Sequence, residues 1–159
     1  MSDETLRVYW HDDCMLHDGG DSVLESAPPP FIAFPEPHVE SAERVLNIKG
    51  ILETGPLKDR IDLRTGRHAS DEEILTFHTA DYLKEIKAAN ALPVPVRIDG
   101  GGTVMADGSY EAAMAAAGTT LDAMKAVMSE PGGPVYSLVR PPGHHAQPTM
   151  GDGNCFFNN

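Results

Sequence analysis

Apolar positions fall into short blocks separated by proline, glycine and acidic stretches. Leu6–Trp10 is an apolar and aromatic run interrupted by Arg7, and it predicts a first strand. The polar, Gly-ended stretch HDDCMLHDGG that follows predicts a loop. Residues 27–37 carry Pro28, Pro29, Pro30, Pro35 and Pro37. Proline fixes φ and removes a donor, so helix and central strand are excluded there. The stretch reads as an extended surface loop whose Phe31, Ile32 and Phe34 pack locally.

Four helices are predicted next. Over residues 41–54, Ser41 is the N-cap, Val45, Ile48 and Leu52 share one face, and Gly55-Pro56 stop the helix. Residues 61–63 predict a short strand. Ser70 and Glu73 form an S-x-x-E capping box for a helix through Leu75. Thr79 or Asp81 caps a helix through Ala91, with Tyr82, Leu83 and Ile86 inward and Pro93 and Pro95 ending it. Gly100, Gly101 and Gly102 predict a plain loop, since no strand runs into them and the spacing fits no phosphate-binding fingerprint. Residues 109–130 form the longest helix, with Tyr110, Ala113, Ala117, Leu121, Met124 and Met128 on one stripe. Its alanines permit close packing on a sheet.

Residues 135–139 (VYSLV) are a continuous apolar run, as in a strand buried on both faces. A helix leading into such a strand predicts a βαβ unit and a parallel sheet, an α/β fold. Ligand sites in these sheets lie beyond the carboxyl ends of the strands. Attention therefore falls on residues 140–159.

Composition narrows the partners. The 159 residues suit one domain, and 41% hydrophobic with 23% charged residues predict a folded protein. A net charge of -12 disfavours nucleic acid and suits a cationic ligand or Lys-rich peptide. Cys14 and Cys155 make neither a disulfide framework nor a zinc C-x-x-C, which predicts a reduced, cytoplasmic setting. No stretch reaches the ~18 apolar residues of a membrane span, and the first ten residues hold no apolar signal core.

His144 and His145 are adjacent in a Pro/Gly-rich loop after the last predicted strand. Adjacent side chains diverge, so one can face a substrate while its neighbour meets a supporting group. Imidazoles exchange protons near neutral pH and can serve as base and acid in hydrolysis. A dipeptide alone is more often an exposed loop pair. Here its context is RPPGHHA (140–146), then Gly153 and CFFNN (155–159). That segment resembles the hallmark of the zinc-dependent histone deacetylase family, which includes acetylpolyamine amidohydrolases. HVESAER (38–44), ILTFHTADYLKEI (74–86), SYEAAMAAAG (109–118) and VYWHDDCMLH (8–17) are similar to other family segments in the same order.

The resemblance implies an arginase-like fold, a parallel sheet flanked by helices, in which zinc polarises an acetyl carbonyl and activates a water. By position His145 matches the general base and His144 its electrostatic neighbour. Gly153 matches the residue whose carbonyl accepts the substrate amide N–H. Arg44 matches a buried arginine of an internal channel that holds departing acetate. Asn154 stands where relatives usually place Phe, which suits a polar chain such as an acetylated polyamine. Ala42 stands where they usually have Pro. Gly102 stands where many have a substrate-holding Asp, and Asp99 is the substitute.

The family's zinc ligands, the carboxylate partners of its paired histidines and its oxyanion Tyr lie beyond a segment matching FNN. His11 and His17 lie in one loop, His38, His68 and His78 are scattered, and together they supply no replacement set. Residues 1–159 are therefore expected to be the N-terminal part of one deacetylase domain, with no metal ligand among them. Expected substrates are a small acetylated amine or an acetyl-lysine peptide. The sheet edge beside residues 135–139 is expected to drive self-association. The alternative is an inactive truncated remnant or interaction module. A third reading, nucleotide binding at Gly100–Gly102, is the weakest.

Overall fold

The computed structural model describes residues 5–23, 27–93, 95–99, 102–129 and 131–159. In chain order the elements are β1 (Leu6–Trp10), β2 (Asp21–Ser22), β3 (Glu36–Pro37), α1 (Ala42–Thr54), β4 (Ile61–Thr65), α2 (Asp71–Ile74), α3 (Ala80–Asn90), β5 (Val96–Arg97), β6 (Val104–Met105), α4 (Ser109–Ser129) and β7 (Val135–Ser137). A 3₁₀ turn, Asp12–Met15, follows β1, and another, Lys58–Arg60, precedes β4.

β1, β4 and β7 make a parallel sheet in the order β4–β1–β7. β4 pairs with β1 from Leu6↔Ile61 to Trp10↔Thr65. β7 pairs on the other side, from Arg7↔Val135 to Tyr9↔Ser137. Alternation along β1 explains the layers. Val8 and Trp10 face α1 and pack with Val45, Leu52 and Leu138. Tyr9 faces the opposite way and packs with Ala123 and Ala126 of α4. Arg7, which breaks the apolar run, is buried too. Its guanidinium donates to the carbonyls of Ala126 and Gly133 at 3.3 and 2.9 Å, where α4 ends and its last carbonyls need donors.

The helix starts follow their sequence cues. Ser70 accepts from Glu73 N–H while the Glu73 carboxylate accepts from Ser70 N–H, completing the capping box. Thr79 caps α3 through Tyr82 N–H, and Tyr82, Leu83 and Ile86 are buried as expected. They join Met105, Ala113, Ala117, Phe156 and Phe157 in the largest apolar cluster. Gly118 lets α4 approach the chain after β4. A Cβ there would stand 2.3 Å from Ala69 N and Arg67 O, a contact only glycine admits.

Several expectations are corrected. Ser41 precedes α1 but makes no side-chain cap bond. Ile48 is 41% exposed, so the buried face of α1 is narrower than its periodicity implies. Met124 and Met128 are exposed, and that end of α4 buries Ala123 and Ala126 instead. Small side chains let the helix lie close to the sheet, and the bulkier methionines stay outside. Phe31 and Phe34 are exposed rather than locally packed. Among the described residues β7 pairs on one side only, and with Tyr136 exposed it is not buried on both faces. A strand does precede the glycine triplet: β5 pairs antiparallel with β6 across it, although Gly100 and Gly101 lie outside the described residues. Among the described residues, no helix is long and apolar enough to cross a membrane.

Candidate active site

The chain leaves β1 to build β4 on one side and returns to build β7 on the other. Where strand order reverses in this way, the connections at the carboxyl ends diverge and leave a crevice. The segment after β1 and the segment after β7 meet there. The ladder runs one residue beyond β7, with Leu138 N–H donating to Tyr9 O at 2.9 Å, and the chain then turns through Arg140 towards His144 and His145.

Arg140 anchors this turn. Only 1% of it is exposed. Its Nε and Nη2 donate to the two Glu40 carboxylate oxygens at 3.1 and 2.8 Å. Its Nη1 donates to the carbonyls of Cys14 and His17 at 3.1 and 2.7 Å. One guanidinium thus ties the loops after β1 and β7 to the segment before α1, in the forked geometry that arginine alone provides. His17 is buried beside it, with Nδ1 2.8 Å from Ser109 Oγ. Burial pushes the His17 imidazole down to about 4, against the pull of the Glu40 carboxylate. Burial likewise pushes the Cys14 thiol up to about 11, so it is no nucleophile.

The far end of the histidine loop is held as firmly. Asn158 Nδ2 donates to Gly143 O and Ala146 O at 3.3 and 3.4 Å, and Asn158 N–H donates to His78 Nε2 at 2.9 Å. The Tyr82 hydroxyl donates to Phe156 O at 2.7 Å. Between these anchors the His144 and His145 rings lie 4.2 Å apart, tilted by 46°, with both side chains reaching solvent.

Gly153 packs on His145. A Cβ at Gly153 would stand 2.9 Å from His145 Cδ2, and its φ is +54°. Asn154 follows at φ 71°. Asp152 and Cys155 exchange backbone bonds at 3.2 and 2.9 Å around them. Two successive positive φ values across a two-residue link make a type I′ turn, for which Gly-Asn is well suited. The turn is fixed to the β5–β6 loop. Asn154 N–H donates to Thr103 Oγ1 at 3.0 Å, and the Asp99 carboxylate accepts from Thr103 N–H at 3.2 and 3.3 Å.

His144, His145, Gly153, Asn154 and Arg44 line one cavity of about 510 Å³, together with Glu40, Arg140 and Val139. Five of the residues singled out from sequence are therefore brought together. Asp99 is not in the lining; it acts on the site through Thr103. Arg44 lines the cavity, though its guanidinium is not buried among the described residues. It is exposed on the first turn of α1 and donates to Val39 O at 3.2 Å, and the buried guanidinium is that of Arg140. Glu40, Thr103 and Asn158 escaped the sequence reading. The Gly-Asn pair between Asp152 and Cys155 was the available signal for the turn.

Zinc, which the resemblance implies, finds no ligand set at this cavity. Among the described residues one group of three ligating side chains converges, His11, Asp13 and His68, and none of them lines it. The cavity's carboxylate, Glu40, is held by Arg140. The site itself offers an imidazole pair able to take and return a proton, and a turn whose Gly153 packs against the His145 ring.

Comparison with known proteins gives the lineage. The family described as "Histone deacetylase domain" matches residues 38–159. "Histone deacetylase 8" of Arabidopsis thaliana is 42% identical over 160 residues, covering 100% of this chain and 42% of that protein. "Histone deacetylase-like amidohydrolase" of Pseudomonas aeruginosa is 36% identical over 153 residues, covering 92% of this chain and 38% of that protein. The crystal structure of the HDA15 HD domain superposes with a TM-score of 0.79 at 24% identity, covering 99% of this chain and 41% of that one. The chain thus spans about two fifths of the length of the proteins it matches. With the family match over most of its length and the whole chain aligned at 42% identity, the chain belongs to the histone deacetylase family.

Proposed function

We propose that this chain carries the proton-transfer apparatus of a zinc-dependent amidohydrolase that removes acetyl groups from acetylated polyamines or acetylated lysine. The observation that carries the reading is the His144–His145 pair lining one cavity together with the Gly153–Asn154 turn that packs on His145. His145 takes a proton from the attacking water. The water oxygen bonds to the acetyl carbon, the C–N bond breaks, and the departing nitrogen gains a proton, leaving acetate and a free amine. His144 lies beside His145, its ring centre 4.2 Å away, and returns a proton to the departing nitrogen. The Gly153 carbonyl accepts the substrate amide N–H and sets the acetyl group. Zinc belongs to this reading with ligands from outside the described residues.

Asn154 favours the polyamine over the peptide. It lines the cavity with an amide, and its Oδ1 has no hydrogen-bond partner among the described residues. An amide residue in the lining suits a stem that carries amines better than a lysine stem of methylenes. The overall charge of -12 attracts a cationic amine and a Lys-rich peptide alike. The buried, unpaired cysteines fit a reducing compartment. The second reading, an interaction module, is favoured by the β7 edge alone.

The test is His145→Ala in the protein made from its full reading frame, assayed on an acetylated polyamine and an acetyl-lysine peptide. Turnover on both should fall by more than about 10²-fold with zinc content unchanged. Retained turnover would remove His145 as the base.

A further inference from the structure

His11 and His68 follow two different strands, β1 and β4, yet their rings meet at 4.9 Å in an edge-on contact. The sheet causes this. β1 and β4 run in register to Trp10↔Thr65, and Gly66 N–H extends the pairing by donating to Trp10 O at 2.8 Å. His11 leaves β1 at the next position. His68 is fixed by its neighbours: Ala69 N–H donates to Met114 O at 2.8 Å, and the backbone of residues 67–69 lies against Gly118. Asp13 completes the group from the 3₁₀ turn. Its Oδ2 is 2.7 Å from His68 Nε2 and 3.8 Å from His11 Nδ1. The nearby cation Arg67 is paired with Glu73 and Asp122 and donates to the His68 carbonyl at 3.0 Å.

From these contacts we propose that His11, Asp13 and His68 form a binding site for a divalent transition cation of the zinc, cobalt and nickel class. The three ligand atoms lie within 4.8 Å of one another. A tetrahedral ion with bonds of ~2.0–2.1 Å spaces its ligands roughly 3.3 Å apart, within reach of small side-chain rotations. Two imidazoles and one carboxylate suit borderline cations better than calcium or magnesium, which take oxygen ligands. The partly exposed side chains leave the remaining positions to water. His11 Nδ1 now accepts from Asp13 N–H at 3.1 Å, and binding through that nitrogen exchanges this contact for the ion. The strongly negative chain draws cations to its surface. The fold needs none of the three for its apolar core, and none of them lines the His144–His145 cavity. The site is read by metal binding, independently of turnover.

The test titrates Co²⁺ into the metal-stripped chain and follows its visible absorption, with Zn²⁺ as competitor. One equivalent should bind, and Zn²⁺ should abolish the signal. His11→Ala and His68→Ala should each raise the dissociation constant at least about tenfold. A His144→Ala/His145→Ala double variant should bind as the parent does. Absence of binding at millimolar Co²⁺, unchanged constants in the first two variants, or loss confined to the double variant would each overturn the site. Asp13→Asn, nearly isosteric, serves if an alanine variant fails to fold. In the unaltered protein, Co²⁺ should first broaden the ring protons of His11 and His68 in NMR spectra; first broadening at other histidines would also overturn it.

Discussion

Glu40 and Arg140 lie 100 residues apart and form a two-pronged ion pair, at 2.8 and 3.1 Å, with both side chains almost wholly buried. Such a pair is costly to break and far less costly to replace. Glu40→Ala leaves a buried guanidinium without its countercharge and should lower stability by ~3–5 kcal/mol. Glu40→Leu with Arg140→Met should lose much less, and urea midpoints compare the two. If the single variant matches the parent, the pair is not the anchor of the histidine loop.

Gly153→Ala should distort the site more than the fold. Its φ of +54° strains any side chain, by about 1–2 kcal/mol, and the new methyl collides with the His145 ring. Asn154→Gly should leave stability near the parent value, since glycine takes the same positive φ freely. Displaced ring resonances of His145 in Gly153→Ala, alongside an unaltered His78, are the expected NMR result.

Stability should depend on pH through His17. Its imidazole titrates near 6.5 when unfolded and about 4 when folded, because burial penalises the charged ring. The unfolded chain therefore binds the extra proton across that window, so stability falls as pH drops from about 6.5 to about 4. The loss approaches ~3 kcal/mol at the lower end. His17→Gln should flatten the pH profile of the urea midpoint in that window. An identical slope would assign the dependence to other groups.

β7 has one hydrogen-bonded neighbour, β1, among the described residues, and its Tyr136 is 42% exposed. Unpaired strand edges recruit further strands. The 159-residue chain should associate as its concentration rises, and Tyr136→Lys should shift sedimentation towards the monomer. Association that ignores this charge would place the contact elsewhere.

Much of this was legible in the sequence, for local reasons. The Ser70–Glu73 box and the Thr79 cap use backbone donors a few residues away, so their spacing suffices. The histidine pair was legible because its loop motif is specific. Its anchors were not, since the Glu40–Arg140 and Thr103–Asn154 contacts join distant parts of the chain. His11 and His68 looked unconnected for the same reason: only the β1–β4 register brings them together. Periodicity marked α4 correctly but misassigned its inner face at Met124 and Met128, where contact with the sheet selected alanine over bulk.

The order β4–β1–β7 carries a kinetic consequence. The middle strand precedes both of its neighbours in the sequence. During synthesis β1 emerges unpaired and must wait for β4, then through three further helices for β7. Until then one edge of β1 stays unpaired, and closing these long loops slows folding. A nascent chain stalled before residue 135 would expose that strand, and it is there that a chaperone should be found.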